Sequence, residues 1–309
     1  MEVRQILMQP DISVIIPSGR PEMVSDSIRC LELQDIARET FEIVVVCVNG
    51  QLLAESLQSR VRVVHVDQLY PPGKMRNLGA AAARGKLLAF LDDDCLPPAN
   101  WLSYMKQAME GKERYAAIGC RVVSSVDGFW ERCADYSLFA AYQYHSERKT
   151  ALGSAAIVVD RKAFEQVDGF DEGLLASEDW DFSLRLMAGG WGCWFATGVE
   201  VRHNHGCNSL SRIISKAFLY GRRSRLTAQE RHRDQMTGLA RLSLAMSSPF
   251  LYWLLILPYA MLVCLLQSAQ FVLQDRNVLI YFPIMLSSRV SYHIGVWKGL
   301  MTEPGGAGK

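Results

Sequence analysis

Leu87-Leu88-Ala89-Phe90-Leu91-Asp92-Asp93-Asp94 sets five apolar residues directly before three carboxylates. A continuous apolar run of this length reads as a strand buried on both faces, as in a mostly parallel sheet. Three adjacent carboxylates repel one another and add little stability, so a compensating cation is expected beside them. An isolated acidic triplet reads first as a solvated turn. In an open α/β sheet, however, ligands collect beyond the carboxyl ends of the strands, and the strand before the triplet places it in a binding crevice.

Upstream, Ile12-Ser13-Val14-Ile15-Ile16, Ile43-Val44-Val45-Val46 and Val61-Arg62-Val63-Val64-His65-Val66 read as further strands, separated by a helical stretch after Arg20 and followed by an alanine-rich helix, Asn77 to Arg84. This alternation predicts a layered α/β domain with a mostly parallel central sheet. Pro17 to Arg20 and Cys47 to Gly50 then end on the same edge as the aspartates and share their crevice. Downstream, Glu178-Asp179-Trp180-Asp181 precedes an apolar helical pattern, Phe182 to Met187.

Hard oxygen ligands such as Asp92 to Asp94 suit Mg2+ or Mn2+, which commonly take one or two carboxylates together with substrate phosphates. A metal bridging a diphosphate would neutralise the charge on a leaving group. Acids at a helix start also favour the macrodipole, which accounts for Glu178 taken alone. Sugar transfer with inversion needs one carboxylate to take the proton from an acceptor hydroxyl, and Asp179 is the candidate base. Arg20, Lys74 and Arg76 are the basic residues expected near phosphate, although the P-loop spacing is absent. His203 and His205, after Val199-Glu200-Val201, are candidates for a further metal ligand.

The chain has 309 residues, half of them apolar, and a formal net charge of +1, which gives no reason to expect nucleic acid. Its eight cysteines show no CxxC spacing and fit a reducing, cytoplasmic setting. The N-terminus lacks the apolar stretch of a secretory signal. From Arg202 to Arg241 nine Lys or Arg residues face only Glu230 and Asp234, and 33 uncharged residues follow, Leu242 to Gln274. That stretch is long enough to span a bilayer, and the basic flank places its N-terminal side in the cytoplasm. A buried core helix, or a helix lying in the interface, is the alternative. A second apolar segment, Val278 to Met301, is interrupted by Arg289, His293 and Lys298. Residues 1–240 thus read as a catalytic domain and 241–309 as a membrane-associated segment.

With these pieces in order, the chain resembles the inverting nucleotide-sugar transferases of glycosyltransferase family 2, which have the GT-A fold, over about residues 11 to 225. The resemblance rests on Ser13 to Pro17 with Arg20, on Arg76-Asn77-Leu78-Gly79 with Ala83-Arg84-Gly85, on Phe90 to Asp94, on Gly153-Ser154 with Gly169-Phe170-Asp171-Glu172, and on Glu178 to Asp181. It implies that Asp94 binds the metal, that Asp92 or Asp93 contacts the nucleotide ribose or diphosphate, and that Asp179 is the base. It also implies that Pro17 and Arg20 border the base pocket, that Arg76 and Asn77 contact the nucleotide side, and that His203 sits near the metal. Tyr220-Gly221-Arg222-Arg223 resembles a basic segment that meets pyrophosphate.

One departure bears on the donor. The family usually carries an acid at the end of the second strand to hold uracil, and here the chain reads Cys47-Val48-Asn49-Gly50, with Asn49 as the substitute. A UDP-sugar is therefore the default donor only. The ending Arg289 to Gly299 is similar to tails of membrane-associated members that build surface polysaccharides, which implies a saccharide or polyprenyl-linked acceptor at the cell membrane, with the catalytic domain cytoplasmic. Two other readings stand beside this one. A nucleotidyltransferase is disfavoured by the lack of a glycine-rich start after the first strand; a membrane-anchored carbohydrate-binding or assembly protein would keep the scaffold without turnover.

Overall fold

The computed structural model describes residues 9–49, 59–110, 115–223, 232, 234 and 249–302. The strands are β1 (Ile12–Ser18), β2 (Phe41–Val48), β3 (Arg62–Val66), β4 (Leu87–Leu91), β5 (Cys95–Leu96), β6 (Tyr115–Ser124), β7 (Arg148–Lys149), β8 (Ala156–Asp160) and β9 (Gly192–His203). The helices are α1 (Pro21–Glu32), α2 (Pro72–Ala82), α3 (Trp101–Met109), α4 (Phe129–Ser137), α5 (Arg161–Gln166), α6 (Glu178–Ala188), α7 (Leu210–Arg223), α8 (Pro249–Phe271) and α9 (Val278–Thr302).

The strands form one sheet in the order β3-β2-β1-β4-β8-β6-β9-β5, with β7 paired to β9. Strands β3, β2, β1 and β4 are parallel; the apolar runs of β2 and β4 fit burial on both faces, whereas β3, at the sheet edge, carries the exposed Arg62 and His65. The other half is mixed: β8 runs antiparallel to β4 and β6, and β9 runs parallel to β6. The expected alanine-rich helix begins at Pro72, five residues before Asn77, because proline is preorganised for the first helical turn.

Strand β1 feeds both layers. Ile12, Val14 and Ile16 pack with Val24, Ile28 and Leu31 of α1 and with Trp101 and Met105 of α3. Ile15 faces the other way, into a cluster with Ala80 of α2, Phe164 of α5 and Phe182 of α6. Each such buried aliphatic side chain stabilises the fold by roughly 1.5–3 kcal/mol. Helix α2 lies close to the sheet because Gly79 has no side chain; a Cβ there would collide with Ile15. This close seat fixes where α2 presents Arg76.

Helix α9 packs on α7 and α4, and α8 packs on α9. The crossing of α7 and α9 is a backbone approach: a Cβ on Gly221 would strike the Tyr292 backbone, and one on Gly295 the Phe218 carbonyl. Helix α8 buries a stripe of Tyr252, Ile256, Ala260, Cys264 and Ser268 at a spacing of four residues, so one face meets the protein. Phe250–Phe271 is the one helix among the described residues that is long and apolar enough to cross a membrane by length and composition. The expected boundary at residues 240 and 241 lies outside the described residues.

Candidate active site

The carboxyl ends of β1 and β4, the start of α2, the segment before β8, the start of α6 and the inner faces of α7 and α9 enclose a cleft of about 790 Å³. Asp92, Asp93, Asp94 and Asp179 all line it, as do Pro17, Arg20, Arg76 and His203. Their convergence follows from the sheet order, since β1 and β4 are neighbours and β8 lies next to β4.

The three aspartates face different partners. Asp92 Oδ1 accepts from Arg76 at 2.8 Å, and the other arm of the same guanidinium reaches Glu178 at 2.8 Å. Arg76 is buried; burial opposes its charge, but Asp92 and Glu178 outweigh that and raise its pKa. Asp93 organises the loop after β1. Its Oδ2 accepts the backbone amides of Gly19 and Arg20, both at 3.2 Å, and its Oδ1 takes Arg20 Nη2 at 2.6 Å. Burial nevertheless pushes the Asp93 carboxyl up.

Asp94 Oδ2 shares Arg20 Nη2 at 2.7 Å, while its Oδ1 lies 3.1 Å from His203 Nε2. Burial works against ionisation here too, but His203 and Arg20 together hold the Asp94 carboxyl down at about 2. The pairing of Cys95 with His203 between β5 and β9 brings that histidine to the aspartates across more than a hundred residues of chain. Ligand atoms of Asp94, Cys95 and His203 all lie within 4.8 Å of one another. Mg2+ and Mn2+ take oxygen and imidazole donors in preference to a soft thiolate, so Asp94 and His203 are the pair whose chemistry fits a divalent cation. His205 sits behind them, 3.5 Å from the buried Asp135 and stacked on Phe139.

Asp179 is the second residue of α6, and Ser177, which caps the helix ahead of Glu178, takes the left-handed conformation, with φ 63°. Its Oδ1 accepts the Trp180 amide at 2.8 Å and its Oδ2 the Ser154 amide at 3.3 Å. Burial, then the charge of Glu178, push the carboxyl up to about 7 against the pull of Arg76. A carboxyl held near neutrality on the wall of a cleft is suited to accept a proton.

Lys74, Asn77 and Asn49 are not among the residues that line the cleft; Lys74 instead sets its ammonium over the Tyr70 ring, 3.9 Å from the centroid. Asn77 spends its amide on the turn at Phe170, donating to that carbonyl at 2.8 Å and accepting its N–H at 2.9 Å. Asn49 is exposed at the end of β2, where its N–H donates to Val66 at 2.7 Å, and the cleft wall at that end is built by Leu69, Tyr70 and Pro71 of the loop before α2. Gly50 lies outside the described residues.

Tyr142, Lys216 and Tyr292 also line the site, and sequence motifs do not single them out. Tyr142 accepts the Ala155 amide at 3.2 Å behind Asp179. Lys216 lies one helical turn before Tyr220, inside the basic segment, which is its only signal; Tyr292 lies in the C-terminal tail, more than a hundred residues from the acidic motifs it joins.

The family model described as "Glycosyltransferase like family 2" matches residues 10–218. The chain is 29% identical over 190 residues to the pre-mycofactocin glycosyltransferase of Mycobacterium tuberculosis, a match covering 58% of this chain and 39% of that protein. It is 22% identical over 223 residues to glycosyltransferase AglE of Haloferax volcanii, covering 69% and 72% of the two chains. Its structure resembles that of the mannosyltransferase PcManGT from Pyrobaculum calidifontis in complex with GDP-Man and Mn2+, with a TM-score of 0.61 and 14% identity, covering 96% of this chain and 88% of that one. That likeness speaks to the fold, a GT-A α/β architecture.

Proposed function

Because this chain belongs to the glycosyltransferase-like family 2, we propose that it transfers a sugar, with inversion, from a nucleotide-sugar donor to a saccharide or polyprenyl-linked acceptor at the cytoplasmic membrane face. The observation that carries this reading is that Asp179, poised near neutrality, and the Asp92 to Asp94 cluster line the same cleft. One provides a base for the acceptor hydroxyl; the other provides acceptors for ribose and for the cation that accompanies a diphosphate.

In this mechanism the donor lies along the ends of β1 and β4, with its base near Pro17 and the loop Leu69 to Pro71 and its diphosphate toward Asp94, His203, Lys216 and Arg223. Asp94 and His203 would hold Mn2+ or Mg2+, which when bound would neutralise charge on the departing diphosphate. Asp179 takes the proton of the acceptor hydroxyl as its oxygen attacks the anomeric carbon from the face opposite the leaving group. The Trp180 and Ser154 amides hold its carboxylate in place. UDP remains the default nucleotide; the GDP-Man of the Pyrobaculum complex is a reason to test GDP-sugars beside it.

Purified protein in detergent, given Mn2+ or Mg2+ and a panel of UDP- and GDP-sugars, should release nucleoside diphosphate and glycosylate an acceptor. Asp179→Asn should lower kcat by about 10²–10⁴-fold while keeping the thermal-shift response to donor. Full activity in that variant would remove Asp179 as the base. Release of pyrophosphate would instead identify a nucleotidyltransferase, and donor binding without turnover a carbohydrate-binding protein.

A further inference from the structure

The hairpin of α8 and α9 is tied to the catalytic domain at both ends. At its turn, Phe271 packs edge-on against Tyr136 of α4 with ring centroids 5.5 Å apart, and Tyr281 stacks on the same ring at 5.9 Å. Gln267 Nε2 also donates to the Tyr136 carbonyl at 2.5 Å. Helix α4 is in turn fixed to the sheet, because the Asp135 carboxylate accepts the Ser124 amide of β6 at 3.2 and 3.3 Å. At the open end, Trp253 and Trp297 pack at 5.1 Å where α9 crosses α7 through Gly221 and Gly295. A helix of 23 residues is about 35 Å long, enough to cross a hydrocarbon core. Crossing would carry one end of α8 to the far side of the bilayer, yet its turn end is bound to the catalytic domain directly and its other end through α9.

The outer face of α8 is nevertheless apolar along its length. Trp253, Leu254, Leu257, Leu262, Leu265 and Leu266 are 41–62% exposed, and the stripe continues round the turn to Leu273, 94% exposed. No charged residue occurs between Leu242 and Gln274. A face that joins two copies of a protein carries a polar rim and interprotein hydrogen bonds, for which this stripe offers few groups. Beside it the C-terminal ends of α7 and α9 meet, and there Arg222 and Lys298 are exposed, a complement to anionic lipid headgroups.

We propose that the α8–α9 hairpin lies flat on one leaflet, with the outer face of α8 sunk into the boundary between headgroups and acyl chains, so that the protein rests on the bilayer without being threaded through it. Tyr292 of α9 lines the cleft, so the hairpin that meets lipid also walls the site. The inference rests on the membrane part of the proposed function.

The test uses the full chain in membranes of its expression host, with cysteine placed at Arg276→Cys, an exposed polar position of the hairpin turn outside the apolar stripe, or at Asp127→Cys on the catalytic domain, and the unsubstituted protein as background. A membrane-impermeant maleimide should label both positions in inside-out vesicles and neither in intact spheroplasts. Labelling of the two positions from opposite sides would overturn the flat arrangement while leaving membrane association standing. In a second arm, purified protein should float with phosphatidylcholine vesicles, and more fully when phosphatidylglycerol is included. The pair Leu254→Glu and Leu265→Glu should cut the floated fraction about tenfold with an unchanged melting temperature. Failure of the unsubstituted protein to float, with dimers in solution, would overturn the membrane reading itself.

Discussion

Arg20 and Arg76 divide the acidic cluster between them, and the two arginines are not equivalent. Arg76 is buried between Asp92 and Glu178. Arg76→Met would leave two facing carboxylates without their cation, and loss of one partner from a buried pair costs about 3–5 kcal/mol, measurable by urea unfolding. Arg20 is 49% exposed and pairs with both Asp93 and Asp94 from the solvent side of the cleft. In Arg20→Gln, Asp94 and His203 would lose a competing cation, so Mn2+ should bind more tightly in the absence of donor. A titration followed by electron paramagnetic resonance would read this, and unchanged or weaker binding would show that Arg20 does not compete. With Asp179 as the proposed base, its titration sets the expected pH dependence. Its carboxyl, pushed up to about 7, is protonated on the acid side and cannot then accept a proton, so kcat/KM should fall as pH drops through that region. Glu178→Gln removes the like charge beside it and should move this limb to lower pH; an unmoved limb would assign the titration to another group.

At the level of elements, the crossing of α7 and α9 is the joint between the catalytic domain and the apolar hairpin. Both Gly221 and Gly295 meet backbone from the other helix, which cannot yield as a flexible side chain would. Gly221→Ala or Gly295→Ala should therefore each destabilise by about 1–3 kcal/mol, measured by chemical denaturation. Because both substitutions open the same crossing, the double variant should cost less than the sum of the two. Parallel β1 to β4, by contrast, are legible as elements in the amino-acid sequence, because a run such as Ile43 to Val46 has no polar face to expose. In the mixed half the apolar run of β8, Ala156 to Val159, is legible in the same way, whereas β7 and β5 are two residues each, too short for any periodicity to appear.

For the whole molecule, the cleft is assembled from β1, β4, α2, α6, α7 and α9, so a ligand bound in it should stabilise the entire chain. A nucleoside diphosphate with Mn2+, at a hundredfold excess over its Kd, should add about 2.7 kcal/mol, read as a rise in melting temperature, and neither alone should match the pair. The amino-acid sequence by itself determined the layered α/β class, the apolar strand ending in Asp92 to Asp94, the acidic start of α6 and the charge-free C-terminal stretch, because each is written in neighbouring residues with a period or a cap. The tertiary structure alone decided which groups meet: that Arg76 joins Asp92 to Glu178, that Asn77 and Asn49 are left out of the cleft lining, and that Tyr292 enters it. Those contacts join residues as much as a hundred or more positions apart, and their distances depend on strand order and on glycine-set helix crossings, which no local pattern of hydrophobicity encodes.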